Sequence, residues 1–165
     1  ACATEAVWGL SCDPDNAHAV QRVLTLKHRT QHKGLILVAA STSQLGYLLA
    51  DLPVEQRETL FASWPGPATW LIPHHGRVQP WVCGEHDSVA VRVTDHPVMR
   101  ALCLAWGGPL VSTSANPSGS QPPTAAFQVR RYFGAQLDYL VPGAVGEARR
   151  PSVIRDLATG RLIRA

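Results

Sequence analysis

The chain contains 165 residues, of which 45% are hydrophobic and 16% are charged. These proportions exclude a disordered or fibrous protein, and the length suits one domain with its own core. The formal net charge of +3 does not by itself indicate a nucleic-acid-binding protein. No stretch reaches the roughly 18 consecutive apolar residues of a membrane helix, and no secretory leader opens the chain. We therefore expect a cytoplasmic protein without membrane contact.

Predicted strands and helices alternate from the start of the chain. A strand over 5–10 is followed by a helix over 13–29, which Asp13 would cap and Pro14 would open. The apolar run 34–39 predicts a strand that is covered on both faces. The remaining predicted elements are helices at 43–52 and 53–64, strands at 68–73 and 88–93, a helix at 97–106, a strand at 109–113, a helix at 124–133, and strands at 138–141, 152–157 and 161–165.

This alternation predicts one α/β domain over residues 1–165. The sheet should be mixed, parallel and antiparallel, because helices are missing between the late strands. The chain opens almost directly on a strand with nothing to cover its near face, which led us to expect that a leading helix is missing.

The motifs of several enzyme classes are absent from the sequence. It contains no phosphate-binding G-x-x-x-x-G-K-[ST] loop, no G-x-G-x-x-G, no G-x-S-x-G nucleophile elbow and no close pair of acidic residues. The four cysteines lack metal-binding spacing, so no metal site is predicted. What remains is arginine, lysine, asparagine and hydroxyl groups at strand ends, which suit the binding and orientation of anions.

The basic residues are mostly of one kind. Lys27 and Lys33 are the only lysines, and the other thirteen of the fifteen basic residues are arginines. Arginine makes planar, bidentate contacts with phosphate or carboxylate. One basic cluster lies at 26–34 and the other runs from Arg149 through Arg164.

A run of hydroxyl groups follows the predicted strand 109–113. The segment reads "VSTSANPSG" from Val111 to Gly119, and proline after Asn116 excludes a glycosylation site. These side chains could satisfy a turn of the backbone, or they could point at a ligand.

Arg92 lies on the polar side of its predicted strand. Alternation places Val89, Val91 and Val93 on one face and Arg92 on the other. We interpret Arg92 as the binder of a substrate carboxylate. The alternative is a salt bridge to a neighbouring aspartate, Asp87 or Asp95.

Six segments together resemble the YrdC-like family, in its short bacterial form. They are "ATEAVWGLSCDP", "KHRTQHKGLIL", "WPGPATWLIP", "SVAVRVTDHP", "STSANPSG" and "RPSVIRDL", in family order across the chain. The resemblance implies a twisted mixed sheet with flanking helices around an open basic concavity. It also implies an enzyme that joins L-threonine, bicarbonate and ATP into threonylcarbamoyl-adenylate and diphosphate, for the modification of tRNA beside the anticodon.

The resemblance implies a role for each matching residue. Lys27 and Arg29 match the family's phosphate clamp and would be catalytic. Further contacts with ATP are implied for Lys33, Thr69, Ser114, Asn116 and Arg164. Contacts with threonine or its carbamate are implied for Thr4, Arg92, Ser112 and Ser152. The roles of Arg149 and Arg150, at the basic rim or in solvent, are left open.

Simpler explanations exist for several of these residues. Lys27 and Arg29 could merely oppose the negative end of a helix dipole, and Thr69 could reflect β-propensity. An RNA-binding module without ATP turnover, or a regulatory nucleotide-binding protein, would also use a basic concavity. The expected cofactor is Mg²⁺ bound with ATP, without a protein-only metal site. The expected partners are the three substrates, RNA or tRNA, and downstream proteins of threonylcarbamoyl transfer.

Overall fold

A computed structural model of the protein describes residues 1–148 and 150–164, which form eight strands and six α-helices. The strands are β1 (Cys2–Ala3), β2 (Trp8–Cys12), β3 (Ile36–Ala39), β4 (Ala68–Pro73), β5 (Ser88–Val93), β6 (Leu110–Ser114), β7 (Val153–Asp156) and β8 (Leu162–Arg164). The helices are α1 (Ala17–Leu26), α2 (Gly46–Leu49), α3 (Val54–Ser63), α4 (Pro80–Cys83), α5 (Pro97–Trp106) and α6 (Ala126–Phe133). None of the helices in the described ranges has the length and apolar character needed to span a bilayer.

The eight strands form one sheet in the order β1-β2-β6-β3-β5-β4-β7-β8. The pairs β3/β5 and β4/β7 are parallel, and the other neighbouring pairs of described strands are antiparallel. The prediction of a single α/β domain with a mixed sheet is therefore confirmed.

The two faces of the sheet differ in chemical character. On β5, the side chains of Val89, Val91 and Val93 are buried in the main apolar core, as the alternation predicts. The opposite face carries small, polar and charged side chains such as Ala90, Arg92 and Ser112, together with apolar ones such as Ile36. Strand register places Ile36 of β3 beside both Ala90 of β5 and Ser112 of β6. This second face forms the floor of the cavity described below.

The core lies mainly between the sheet and the helices on its valine face. Leu24 of α1, Leu60 of α3 and Val82 of α4 pack there with Val91. Burial of one such side chain stabilises the fold by about 1.5–3 kcal/mol. A second cluster joins α6 to β2, and a third joins α5 to β3 and β6.

The first helix is shorter than predicted at both ends. Its N-cap is Asn16, whose side chain accepts the backbone N–H of Ala19, whereas Asp13 accepts the N–H of Asp15 in the preceding turn. The helix ends at Leu26 because His28 adopts a positive φ of 49°. Local capping chemistry, which several Asp and Asn residues could have supplied, decides these bounds.

Other predictions were wrong in detail. The predicted strand 5–10 is observed as β2 (Trp8–Cys12), and β1 before it was not predicted. The predicted helix 43–52 is a 3₁₀ turn (Thr42–Leu45) followed by the single turn α2, and α4 was not predicted at all. The predicted strand 138–141 is irregular. The backbone N–H of Val141 donates a hydrogen bond to the carbonyl of Ala1. The segment 138–141 therefore contacts the start of the chain but forms no strand of the sheet.

Candidate active site

A cavity of about 670 Å³ opens on the face of the sheet opposite the buried valines of β5. Its basic lining residues are Lys27, Arg29, Lys33, Arg92, Arg150 and Arg164. Glu5 is the single carboxylate among the described residues that line it. The open basic concavity implied by the family resemblance is therefore present, and it brings Lys27, Arg92 and Ser114 together from distant parts of the chain.

The connection after α1 gives two of these cations their positions. His28 takes the left-handed conformation, and the N–H of Arg29 then reaches back to the carbonyl of Leu24. This reversal leaves His28 exposed while Lys27 and Arg29 both line the cavity. A turn of this kind is a common helix C-terminus.

Lys27 is a buried clamp between α1 and the hydroxyl-rich segment. Its ammonium donates to the carbonyl oxygens of Ser114 and Asn116, and the Ser114 hydroxyl lies 3.5 Å away. In return, the carbonyl of Lys27 accepts the N–H of Ser118 at 2.7 Å. Since these partners lie on another segment, opposition to the dipole of its own helix does not explain Lys27.

The pKa of Lys27 is strongly perturbed. Burial, and to a smaller extent the neighbouring charge of Arg29, lower the pKa of this ammonium to about 8. An anion bound nearby would favour the charged form. Lys27 is thus a cation whose charge depends on both pH and ligand.

Arg29 braces the loop that follows α1. One guanidinium nitrogen, Nη2, donates to the carbonyls of Lys33 and Gly34 at 3.3 and 3.0 Å. Its buried Nε has no hydrogen-bond partner among the described residues. Lys33 itself is exposed at the rim of the cavity.

The segment after β6 is held by its own asparagine. The Asn116 side-chain nitrogen donates to the carbonyls of Pro117 and Ser120, at 3.0 and 2.7 Å. Its buried Oδ1 has no partner within the described part of the chain. Asn116 thus shapes the turn, and it lines the cavity together with Ser112 and Ser114. The turn explanation is therefore correct for Asn116, whereas contact of these side chains with a ligand stays a prediction.

Thr4 and Ser112 approach each other across Gly9. The Thr4 hydroxyl donates to the carbonyl of Val7 at 2.7 Å. A Cβ at Gly9 would lie 3.4 Å from both the Ser112 Oγ and the Thr4 Cγ2, so a larger residue would crowd these two side chains.

Thr69 and Ser152 form a buried pair. Their hydroxyl oxygens lie 2.7 Å apart, which links β4 to the residue before β7. Ser152 lines the cavity, but Thr69 is not among the lining residues. Thr69 would therefore not touch ATP directly, as the resemblance implies it does, but would support Ser152, which lines the cavity.

Arg92 pairs with an acid that the sequence did not suggest. Its Nη2 lies 3.1 Å from Oε2 of Glu5, and both side chains are about one-tenth exposed. The salt bridge is thus made with Glu5, and neither Asp87 nor Asp95 forms one with Arg92. Burial lowers the pKa of the Arg92 guanidinium, while the Glu5 charge opposes that effect. The buried Nε of Arg92 has no partner among the described residues.

Arg164 completes the group of cations from the far edge of the sheet. Its Nη2 donates to the carbonyl of Ser152 at 3.3 Å. Burial lowers the pKa of Arg164, and the charges of Arg29 and Arg92 add to this lowering. The cations therefore lie close enough to repel one another. Arg150 also lines the cavity, whereas Arg149 lies outside the described residues.

The sequence did not indicate that Glu5 belongs to the site. Glu5 and Arg92 lie inside two of the segments that resemble the family, but nothing in the local pattern indicates that they meet. From the sequence alone, Glu5 would be interpreted as a solvent-exposed charge. Within residues 1–148 and 150–164, no group of three or more His, Cys, Asp or Glu could hold a metal ion.

Comparisons with known proteins agree with this geometry. The Sua5/YciO/YrdC family model, described as "Telomere recombination", matches residues 1–165. The threonylcarbamoyl-AMP synthase of Saccharophagus degradans is 59% identical over 162 residues, 98% of this chain and 85% of that protein. The protein of the same name from Halorhodospira halophila is 56% identical over 161 residues, 98% of this chain and 84% of the relative.

Solved structures extend the likeness to the fold. Sua5 of P. abyssi in complex with L-threonine is 32% identical, with a TM-score of 0.86 over 98% of this chain. The chain spans about half of that protein, 48% of its length. YciO of E. coli has a TM-score of 0.85 at 21% identity, over 98% of this chain and 79% of its own, and it supports the fold alone. The chain belongs to the Sua5/YciO/YrdC family.

Proposed function

We propose that this protein is a threonylcarbamoyl-AMP synthase. It would convert L-threonine, bicarbonate and ATP into L-threonylcarbamoyl-adenylate and diphosphate. The observation that carries this proposal is the cavity, where cations from four segments meet beside neutral hydroxyl groups. The relatives named threonylcarbamoyl-AMP synthase, at 52–59% identity over 98% of the chain, support the same conclusion.

Threonine would bind at the end of the cavity that holds Arg92. The guanidinium pairs with Glu5 through Nη2, and its Nε has no hydrogen-bond partner among the described residues, so it retains donors for the substrate carboxylate. Thr4 and Ser112 lie on the same wall and offer neutral hydrogen-bonding groups. The related P. abyssi Sua5 binds L-threonine, which supports an amino-acid subsite in this fold.

ATP would occupy the part of the cavity with the other cations. Arg29, Arg164 and Lys33 lie there, and their mutual repulsion would be relieved by a polyphosphate. Lys27 would hold Ser114 and Asn116 in place and add its charge when protonated. Ser152, backed by Thr69, would contribute from β7.

The proposed chemistry needs positioning more than a protein nucleophile. The threonine amine, after losing its proton, adds to carbon dioxide derived from bicarbonate and forms a carbamate. A carbamate oxygen then attacks the α-phosphorus, and the bond to diphosphate breaks. Carbamate and triphosphate are both anionic, so cations that offset their repulsion and align them lower the barrier. Water and diphosphate account for the remaining atoms.

Mg²⁺ would enter with the nucleotide. The only carboxylate among the described lining residues, Glu5, already pairs with Arg92, so the cavity offers no free acid for the metal. The residues present do not fit a protein-only Mg²⁺ site, and the phosphates of ATP would supply the ligands.

The product would serve tRNA modification beside the anticodon, through proteins that accept the threonylcarbamoyl group. A mixed anhydride of a carbamate and a phosphate is reactive, which favours prompt transfer. The cytoplasm remains the expected location.

Product identification tests the proposal. The purified protein is incubated with ATP, L-threonine and ¹³C-bicarbonate, and the nucleotide products are analysed by mass spectrometry. We expect an adenylate that carries both threonine and one ¹³C atom. An adenylate without the label, or none, would overturn the proposal.

The rival functions make different predictions. An RNA-binding module should lose RNA affinity steeply as salt rises and should not turn over ATP. A regulatory nucleotide-binding protein should bind ATP without making diphosphate. Either result, with no adenylate formed, would replace the synthase assignment.

A further inference from the structure

The ion pair between Glu5 and Arg92 raises a question about charge in the cavity. Six cationic side chains line it, but only Arg92 has a carboxylate partner among the described lining residues. If the cavity served only to attract anions, this acid would weaken it. A carboxylate in such a place needs a specific reason.

The Glu5 carboxylate is held differently at its two oxygens. Oε1 accepts the hydroxyl of Thr94, which is fully buried. Oε2 lies 3.1 Å from Nη2 of Arg92 in an ion pair, but it is buried and makes no hydrogen bond within the described residues. The Thr94 oxygen in turn accepts the backbone N–H of His96 at 3.1 Å. Arg92 lies in β5, and Thr94 directly follows this strand. Because side chains alternate along a strand, Arg92 and Thr94 lie on the same face, and Glu5 contacts both of them.

The backbone of Glu5 is fixed as well. The N–H groups of Gly146 and Ala148 donate to the carbonyls of Thr4 and Glu5, at 3.0 and 3.2 Å. A Cβ at Gly146 would lie 2.8 Å from the Glu5 carbonyl oxygen, so the segment around Gly146 packs directly on Glu5. These contacts fix the backbone of Glu5 beside Arg92, and the hydrogen bond from Thr94 holds one oxygen of its carboxylate.

We propose that Glu5 is a positioning residue that reserves Arg92 for the substrate carboxylate. By occupying Nη2, it orients the guanidinium so that its remaining donors meet the amino acid. By partly offsetting the charge, it keeps the triphosphate with Arg29 and Arg164. Glu5 thereby divides one basic cavity into an amino-acid part and a phosphate part. This inference rests on the proposed function.

Replacement of the charge alone tests the inference. Glu5→Gln keeps the length of the side chain and an oxygen for Thr94, but it removes the negative charge. We expect the KM for L-threonine to rise by about tenfold, as the loss of a charge-assisted contact implies. The dissociation constant of ATP should stay unchanged or decrease, because Arg92 becomes available to phosphate. A weaker affinity for ATP, or an unchanged KM for threonine, would overturn the inference.

A second arm shows whether Glu5 acts through Arg92. In an Arg92→Lys background, adding Glu5→Gln should change the KM for threonine by less than about twofold, because coupled residues are not additive. Fully additive effects would contradict the inference. Asp51→Asn, which breaks the exposed ion pair with Arg77, is the matched control and should alter neither substrate constant.

Thr94 keeps the test informative if Glu5→Gln does not fold. Thr94→Val leaves the Glu5 charge but removes its Oε1 anchor, and it should raise the KM for threonine by a smaller factor. Thr94→Ser should restore it, and failure of this rescue would count against the inference. Adenylate synthesis, measured in the unaltered protein and in the Glu5 variants, separates the two hypotheses. Without adenylate synthesis in the unaltered protein the proposed function fails, whereas synthesis that is indifferent to Glu5 removes only the positioning role.

Discussion

The two faces of β5 differ in the charge of the side chains that they carry. On the helix-covered face, Val89, Val91 and Val93 are almost fully buried among apolar side chains. On the other face, Ala90 is followed by Arg92, which is buried and lies near cations from three other segments. One strand thus contributes to the core with one row of side chains and to the cavity with the next.

This difference separates stability from ligand binding. Apolar burial on the valine face stabilises the fold whatever ligand is present. The cations on the cavity face repel one another, and an anion relieves that repulsion. Substitutions on the valine face should therefore change the free energy of unfolding, whereas substitutions on the cavity face should change ligand binding.

Lys27→Ala should have the largest effect on activity. It removes a cation from the cavity and the hydrogen bonds that the ammonium donates to the carbonyls of Ser114 and Asn116. We expect ATP binding and synthesis to fall together, by about 10–100-fold, as expected for loss of a charged hydrogen bond. Calorimetry with ATP and a diphosphate-release assay measure the two. Unchanged activity would show that Lys27 is not needed for ATP binding or synthesis.

Arg92→Ala should act mainly on threonine. We expect its KM to rise by on the order of tenfold or more, with a smaller change for ATP, because Arg92 would bind the substrate carboxylate. Removing one partner of a buried ion pair also lowers the free energy of unfolding by about 3–5 kcal/mol. Steady-state kinetics at varied threonine and varied ATP measure the ratio. A larger change for ATP than for threonine would contradict this role.

Leu60→Ala provides the contrast from the valine face. Leu60 is fully buried in the main core, and its truncation should lower the free energy of unfolding by about 2–5 kcal/mol. The KM values for threonine and ATP should stay within about twofold, because Leu60 does not line the cavity. Denaturant unfolding and kinetics together test this. A selective change in one KM would show that the two faces are coupled.

The pH dependence of ATP binding is a smaller effect. The pKa of Lys27 is lowered to about 8 by burial and by Arg29, so its positive charge is present below that pH and lost above it. ATP affinity, measured without threonine, should therefore decrease by up to about tenfold between pH 7 and pH 9. Lys27→Arg should flatten this profile, because a guanidinium stays charged. An equally steep decrease in the arginine variant would assign the effect to another group.

Much of the fold was predictable because its signals are local. The boundaries of β4, β5 and α5 agree with the predicted ones, since alternating or periodic apolar residues and the stops at Pro97 and Gly107 mark them directly. The irregular segment 138–141 was not predictable. Its bond to Ala1 joins residues 140 positions apart, which no local pattern encodes.

The site shows the same division. Arg92 was placed on the cavity face by alternation, and the family segments indicated the hydroxyl and lysine positions. The partner of Arg92 could not be predicted, because Glu5 lies 87 positions away along the numbering and reaches it only through the pairing of distant strands. The hydrogen bond from Lys27 to the Ser114 carbonyl could not be predicted either, because backbone acceptors carry no sequence signal.

The most direct test of the central claim is diphosphate release with ATP, L-threonine and bicarbonate each omitted in turn. If one cavity aligns an amino-acid carbamate with a triphosphate, release should require all three compounds and fall to background when any one is left out. Equal release without threonine or without bicarbonate would show that the cavity catalyses a different reaction.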